Sequence, residues 1–370
     1  MAPGVFRSFG WFWSDLRLAA GRPRRCKTEV EHLEPASRQE PASRAEPAPR
    51  VEPPCDEPPL ISIVLVCYNH ERFVAEALEG VLAQTYSPLD IIIVDDCSQD
   101  RTAEIVAERL ARLSARSDIR FIRNPRNMTV LGTCKIALEA ARGEFIVFTC
   151  DDDIMLPEMV AEMAKVWREE NVSLVNTNAY YIDENSEPLG RIHHDLDVPP
   201  DDTLETLVRD GSNACCFGAT MGFERELYLN FGMPPAHLDN FDIMVPFYAY
   251  LMKGARFINK PLLKYRVHGQ NNSLSLIAEK SDGLDHLTTL ERIHFVHVAH
   301  AVLMREELER LRHSRPERYA ELAPTIGALL NIQTVERAKK LVRARNELDQ
   351  RREAGLQDGM TLCRSGGRSG

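Results

Sequence analysis

Asp151, Asp152 and Asp153 stand in a row directly behind the apolar run Phe145-Ile-Val-Phe148, and Pro157 closes the segment. Adjacent carboxylates repel one another, so assembling them in water gains nothing. A hard divalent cation such as Mg²⁺ or Mn²⁺ removes that penalty, because it takes oxygen ligands and commonly bridges one or two carboxylates to substrate phosphates. The plainer reading is a solvated acidic turn before a helix, with Asp153 near the N-cap. A second acidic segment, Asp95-Asp96-Cys-Ser-Gln-Asp100-Arg-Thr102, follows the apolar run Ile91-Ile-Ile-Val94. A carboxylate just past a strand can accept a hydrogen bond from the N3–H of a uracil or from a ribose hydroxyl. Helix capping accounts for Ser98 and Asp100 but leaves Asp95 and Asp96 unexplained.

Chemistry shared by such distant segments needs elements that end at one edge. Ile61-Ser-Ile-Val-Leu-Val66 is a near-continuous run rich in β-branched residues, as expected of a strand buried on both faces. Helical spacing follows over 71–84 (Phe73, Ala77, Leu78, Val81, Leu82), then a strand over 91–94, a helix from Thr102 to Leu113 and a strand over 119–122. Residues 131–141 are again helical, and 145–148 form a fourth strand. This alternation predicts an α/β fold with a mostly parallel sheet, flanking helices and right-handed crossovers. Ligands of such sheets bind beyond the carboxyl ends of the strands. Tyr68-Asn69, Asp95-Asp96 and Asp151-Asp152-Asp153 all fall there.

The acidic pair and the later Asp153-Ile-Met-Leu-Pro157 also suit a phospho-acceptor receiver domain. Three features exclude it. A complete strand–helix unit precedes the pair, the gap from Asp96 to Asp153 is too long, and no lysine occurs between Lys165 and Lys253.

The chain has 370 residues, enough for one large domain or two ordinary ones, and 44% of them are hydrophobic, enough for a sizeable core. A formal charge of −10 argues against a nucleic-acid partner. Nine cysteines, none in a C-x-x-C pair and several inside apolar runs, fit reduced thiols in a cytoplasmic protein. Residues 1–27 are basic and rich in Phe and Trp, with Asp15 and Arg17 interrupting any signal-peptide core. They read either as a peripheral helix on the inner face of a membrane or as an unstructured leader. Residues 28–59, dense in Pro, Glu, Ala and Arg, read as a semi-extended linker.

Taken in order, several segments resemble the family 2 glycosyltransferases. They are Val66-Cys-Tyr-Asn69, Gln84-Thr85-Tyr86, Val94 to Thr102, Asn127, Gly132, Ala141-Arg-Gly-Glu144 and Asp151 through Pro157. Gly218-Ala219-Thr220 and Pro261-Leu-Leu-Lys-Tyr-Arg-Val-His-Gly269, followed by Asn271 to Ser273, extend the likeness. The resemblance implies a GT-A fold over residues 60–275 and an inverting transfer of one sugar from a nucleotide-sugar, most simply a UDP-sugar, to a hydroxyl acceptor. It implies that Cys67, Tyr68, Asp95, Asp96 and Asp151 hold the nucleotide, and that Asp152, Asp153 and His268 hold Mn²⁺ or Mg²⁺. Arg266, Asn271 and Asn272 beside His268 suit phosphate oxygens. The general base falls on Asp242, with Asp239 as the alternative. Phe241 and Tyr248 stand where relatives carry Glu and Arg, so an inactive nucleotide-sugar-binding or scaffold relative is the competing reading.

The chain lacks the Gln-x-x-Arg-Trp motif and the membrane spans of processive synthases, and the glycine-rich, Arg-containing loop of nucleotidyltransferases. It is therefore expected to add a single sugar during surface-glycan or glycoconjugate assembly, on a glycan or lipid-linked acceptor. Residues 283–355 show a helical apolar stripe (Leu287, Leu290, Ile293, Val298, Val302, Leu308) that Pro316 and Pro324 should divide. This extension is expected to pack on the catalytic domain, to shape the acceptor entrance or to mediate homo-oligomerisation. His294, His297 and His300 recur every third residue, a spacing open to zinc but better explained as a structural helix face. Residues 356–370 are expected to form a disordered tail.

Overall fold

Seven-residue strands β1 (Ile61–Cys67) and β2 (Leu89–Asp95) run parallel in register, with Ile61 opposite Leu89 and Cys67 opposite Asp95. Their side chains alternate between two cores, as the twofold period of a strand requires. Ile61, Ile63, Leu65, Ile91 and Ile93 pack on one side of the sheet, whereas Val64, Ile92 and Val94 pack on the other. Both faces are covered, which is why these runs carry so few polar residues. The computed structural model describes residues 57–113, 118–197, 203–210, 218–235, 242–269 and 283–365. The leader over 1–27, nearly all of the linker, Asp239, Phe241 and Asn271 to Ser273 lie outside the described residues.

In chain order, α1 (Val74–Leu82) joins β1 to β2, and α2 (Thr102–Ala111) leads to β3 (Ile119–Arg123). Next, α3 (Thr129–Ala140) leads to β4 (Phe145–Cys150), which pairs parallel with β1. A two-residue strand, β5 (Ile154–Met155), precedes α4 (Met159–Glu170) and the hairpin β6 (Leu174–Ile182) and β7 (Pro188–Ile192). Then come α5 (Leu204–Asp210), β8 (Met221–Glu224), α6 (Arg225–Phe231), α7 (Met244–Met252) and β9 (Ala255–Arg266). The sheet runs β3-β2-β1-β4-β8-β6-β9-β5, with β7 on β6. The β6–β9 pairing is also parallel; the short pairings of β8 with β4 and β6, of β5 with β9 and of β7 with β6 are antiparallel.

Register carries the far end of the sheet to the first half. Ile154 lies opposite Lys264 and Met155 opposite Leu263, so the chain leaving β9 at Arg266 arrives beside Asp152 and Asp153. The same strand pairs Arg266 with Ile182, which draws the β6–β7 turn alongside. Gly80 permits a close approach on the other side: a Cβ there would lie 2.9 Å from the Met155 carbonyl oxygen.

The C-terminal extension consists of α8 (Gly283–Ser314), α9 (Pro316–Leu322) and α10 (Ala328–Ser365). It shares a core with the sheet, because Met304, Leu308, Leu311, Ile326 and Leu330 pack in one cluster with Phe247, Tyr248, Leu251, Val64 and Phe148. Two buried-backbone contacts pin it: Arg318 Nη2 donates to the Tyr250 carbonyl at 2.6 Å, and Arg337 Nη2 to the Val208 carbonyl at 2.5 Å. Pro316 opens α9, as a missing N–H permits. Pro324 falls between α9 and α10 as expected, within a π-helical turn, Ala323–Gly327, whose wider winding accommodates the ring. The last helix also runs on to Ser365, beyond the boundary at 355, since Gly355 and Gly359 weaken a helix by about 1 kcal/mol each without blocking it. No helix of the described residues is long and apolar enough to cross a membrane.

Because the extension and the sheet share this core, Leu308→Ala is expected to destabilise the whole chain by about 2–5 kcal/mol. Urea unfolding followed by tryptophan fluorescence and far-UV dichroism should show one displaced transition. A separate early transition confined to helical signal would contradict the shared core.

Candidate active site

The loop after β1 is latched to the loop after β2. Asn69 adopts a left-handed backbone at φ +54°, a conformation that Asn tolerates better than most residues. Its N–H donates to Ser98 Oγ at 3.0 Å, and its own Oδ1 accepts the Gln99 N–H at 2.7 Å. The His70 N–H donates to Thr102 Oγ1 at 2.9 Å, and the Glu71 N–H to Asp100 Oδ2 at 3.0 Å. Asp95, fully buried, accepts the Ser98 N–H at 3.1 Å and pairs with Arg123 at 3.3 Å, so it fixes the loop from beneath. Asp96 Oδ1 accepts Asn124 Nδ2 at 2.8 Å and the Met128 N–H at 2.7 Å, which ties it to the start of α3. Cys67 contributes no side chain here: its thiol is fully buried in the core, contrary to the expectation that it touches a nucleotide.

The three aspartates are not a solvated turn. Asp151, Asp152 and Asp153 are 3%, 7% and 1% exposed. The helix that follows starts only at Met159, so Asp153 is no N-cap. Asp151 spends both oxygens on protein: Oδ2 accepts the Tyr68 N–H at 2.9 Å, and Oδ1 lies 2.6 Å from His70 Nδ1. Asp152 Oδ2 lies 3.1 Å from His268 Nε2, while its Oδ1 is buried and accepts no hydrogen bond. Asp153 Oδ1 accepts the Arg266 N–H at 2.9 Å.

Arg266, 1% exposed, binds this region together. Nε donates to the Asp152 carbonyl at 2.8 Å, Nη1 to Ser186 Oγ at 2.9 Å, and Nη2 to Glu76 Oε2 at 2.8 Å. Its guanidinium also stacks over Phe73 at 4.7 Å. Arg266 is therefore committed to the protein, and the expectation that it meets phosphate oxygens is corrected.

Burial pushes the carboxyls of this cluster up, but unequally. At Asp152 the charge of His70 and the hydrogen bond and charge of His268 outweigh burial and hold the group below its usual range. At Asp153 burial and the neighbouring Asp152 charge prevail, and the carboxyl is held well above it. Burial alone would lower His70; the charges of Asp151 and Asp152, the hydrogen bond to Asp151 and the charge of Asp153 reverse this and raise it to about 10. One ligand atom each from His70, Asp152 and His268 lie within 4.8 Å of one another. Two imidazoles beside a buried carboxylate oxygen with no partner are a donor set that fits a divalent cation.

Asp242 lies just before α7 and is 2% exposed. Burial raises its carboxyl to about 7, moderated by the nearby backbone N–H of Gly218. Only glycine fits at 218, since a Cβ there would stand 2.7 Å from Asp242 Oδ1. Asp242 and Asp96 both act electrostatically on the buried Cys134, and Cys134 acts on Cys150 at the head of the triple aspartate. The acidic groups after β2, after β4 and before α7 thus occupy one neighbourhood. Sequence reasoning missed His70, although its place directly behind the polar end of β1 marked it as facing the same edge. On the extension, burial and the Arg337 charge lower His297 to about 3, and His294 and His297 gather no carboxylate or thiol into a metal cluster among the described residues.

Residues 62–231 match the family model "Glycosyl transferase family 2". An uncharacterized glycosyltransferase of Nostoc sp. is 26% identical over 226 residues, 60% of this chain and 69% of its own length. The UDP-Glc:α-D-GlcNAc-diphosphoundecaprenol β-1,3-glucosyltransferase of Escherichia coli is 27% identical over 182 residues, 49% of this chain and 67% of its own length. Other relatives are covered less fully: the putative glycosyltransferase EpsE of Bacillus subtilis, 30% identical over 34% of this chain, is matched over 45% of its length. Among solved structures, Staphylococcus aureus TarS residues 1–349 with UDP-GlcNAc superposes over 77% of this chain and 81% of its own, at 16% identity and a TM-score of 0.48.

If Arg266 neutralises and ties the acidic turn, Arg266→Met should cost about 3–5 kcal/mol, because it leaves buried polar groups without their cation. Arg266→Lys should recover little of this, since one ammonium cannot reproduce the planar fork. Chemical denaturation of both variants decides the point; a Lys variant as stable as the parent would contradict it.

Proposed function

From a chain whose residues 62–231 make it a family 2 glycosyltransferase, we propose that it is a cation-dependent, inverting enzyme. It moves one sugar from a UDP-sugar to a hydroxyl of a glycan or lipid-linked acceptor. The observation that carries this reading is Asp242: a buried carboxylate raised to about 7, in the same neighbourhood as the triple aspartate. A carboxyl with that affinity for protons is about half ionised at neutral pH and basic enough to take a proton from an attacking hydroxyl.

In this reading the nucleoside lies over the ends of β1 and β2, where Tyr68 and Asp96 meet its base and ribose. Asp152 and His268 would hold the cation; when bound, it offsets charge on the departing diphosphate. Asp242 accepts the acceptor's proton as the acceptor oxygen attacks the anomeric carbon from the face opposite the leaving group. The new bond from carbon to acceptor oxygen forms while the bond to the phosphate oxygen breaks, and the configuration inverts. Gly218 leaves room for the Asp242 carboxylate, which a side chain at that position would displace.

The donor assignment draws support from the Escherichia coli relative, whose name specifies UDP-Glc and a diphosphoundecaprenol acceptor. A lipid-linked acceptor would also give the basic, aromatic residues 1–27 a role at the cytoplasmic membrane surface. Surface-glycan assembly is the part of this proposal that a lipid-linked acceptor would suit.

Two measurements test this function. Asp242→Asn should lower turnover by about 10²–10⁴ while nucleotide affinity is kept. In the parent, kcat/KM should fall as pH drops below about 7, because the base is lost on protonation. Turnover surviving in Asp242→Asn would exclude Asp242 as the base. For the donor, melting temperature is measured with UDP, GDP, CDP and dTDP, each with and without Mn²⁺. A ligand at 100 times its Kd stabilises by about 2.7 kcal/mol. UDP should give the largest metal-dependent rise, and a larger rise with GDP would overturn the UDP reading.

A further inference from the structure

We infer that the cation of this enzyme is held by His70, Asp152 and His268, with Asp151 orienting His70, and that this nitrogen-rich set prefers Mn²⁺ to Mg²⁺. The inference rests on the cation-dependent reading above and goes beyond it in naming a ligand, a positioning residue and a selectivity.

Three observations converge. Asp151 cannot serve as an open ligand, because one oxygen is taken by the Tyr68 N–H at 2.9 Å and the other by His70 Nδ1 at 2.6 Å. That second contact leaves Nε2 as the imidazole atom of His70 available to a cation. A carboxylate holding one ring nitrogen while the other binds metal is the recurring outer-shell arrangement of metal-bound histidines. Next, His70 and His268 flank Asp152, with ring centroids 5.3 Å apart at 89° and ligand atoms of all three residues within 4.8 Å. Lastly, Asp152 is 7% exposed and its Oδ1 lies buried without a partner. Asp153, expected to share the cation, stands outside this cluster of ligand atoms among the described residues; its Oδ1 accepts the Arg266 N–H.

The donor set therefore has two imidazoles and one carboxylate. Mg²⁺ demands oxygen ligands in near-ideal octahedral geometry and surrenders its waters reluctantly. Imidazole suits later first-row ions, and Mn²⁺ accepts both nitrogen and oxygen.

Pulsed electron paramagnetic resonance of the full-length protein loaded with Mn²⁺ alone reads the ligands directly through ¹⁴N coupling. The parent should show two imidazole nitrogens, and His70→Gln one. His70→Gln should also weaken Mn²⁺ binding by about tenfold or more, and Asp151→Asn by about 10–100-fold with both nitrogens kept. Competition on the unaltered protein supplies an arm that needs no variant: a tenfold excess of Mg²⁺ should leave most Mn²⁺ bound. Two nitrogens remaining in His70→Gln, no nitrogen in the parent, or displacement of Mn²⁺ by equimolar Mg²⁺ would each overturn the inference and leave the transferase reading standing. Failure to bind Mn²⁺ both with and without UDP would overturn both.

Discussion

Everything at the carboxyl edge of this sheet answers to one constraint, the burial of three consecutive carboxylates. Two unit charges about 5 Å apart repel by about 3 kcal/mol at an effective dielectric of 20, and burial adds a desolvation cost to each. The fold meets this by giving each aspartate a different partner. Asp151 has an imidazole and a backbone N–H, Asp152 has a second imidazole and the charge of the first, and Asp153 has the Arg266 N–H. The result is a graded cluster, with Asp152 held low and Asp153 held high. In the proposed reading, a cation would add to an arrangement already partly neutralised and would meet ligands oriented beforehand.

Arg266 supplies the mechanical side of the same arrangement. Its guanidinium reaches α1 through Glu76, the β6–β7 turn through Ser186 and the acidic turn through the Asp152 carbonyl. The register of β9 against β5 and β6 makes these contacts coincide. Replacing this residue disturbs three segments at once, the acidic turn among them. On the opposite side, α7 is buried along its whole length, as a helix that is apolar all round must be. It lies between the sheet and the C-terminal extension, so the packing of α8 and α10 bears on the helix that follows Asp242.

The first four strands and their helices were legible because each strand is apolar on both faces and each helix shows its own period. The triple aspartate was legible because three adjacent carboxylates repel one another and call for a counter-charge. What sequence could not supply were the partners, since these come from elements far apart along the chain. Arg266 looked like a phosphate ligand beside His268; its burial becomes evident only once Phe73, Glu76 and Ser186 surround it. Cys67 lies within a recognisable segment, but the twofold alternation of β1 turns its thiol into the core. His70 carried no charge or spacing signal and gains significance from Asp151, 81 residues away. Pro324 was legible as a division of the helical extension, but not the π-helical turn that makes it.

The long reach of Arg266 has a consequence for the order in which the molecule is made. Asp153 and Arg266 are separated by 113 residues, so at about 5–20 residues per second the ribosome needs roughly 6–23 s to supply the second after the first. Throughout that interval β1 to β4 can already pair, yet the acidic turn at their edge has no arginine to fasten it. The acidic edge is therefore the last part of the sheet to close. A nascent chain stalled before β9 would carry a formed half-sheet with Asp152 and Asp153 still without their later partners.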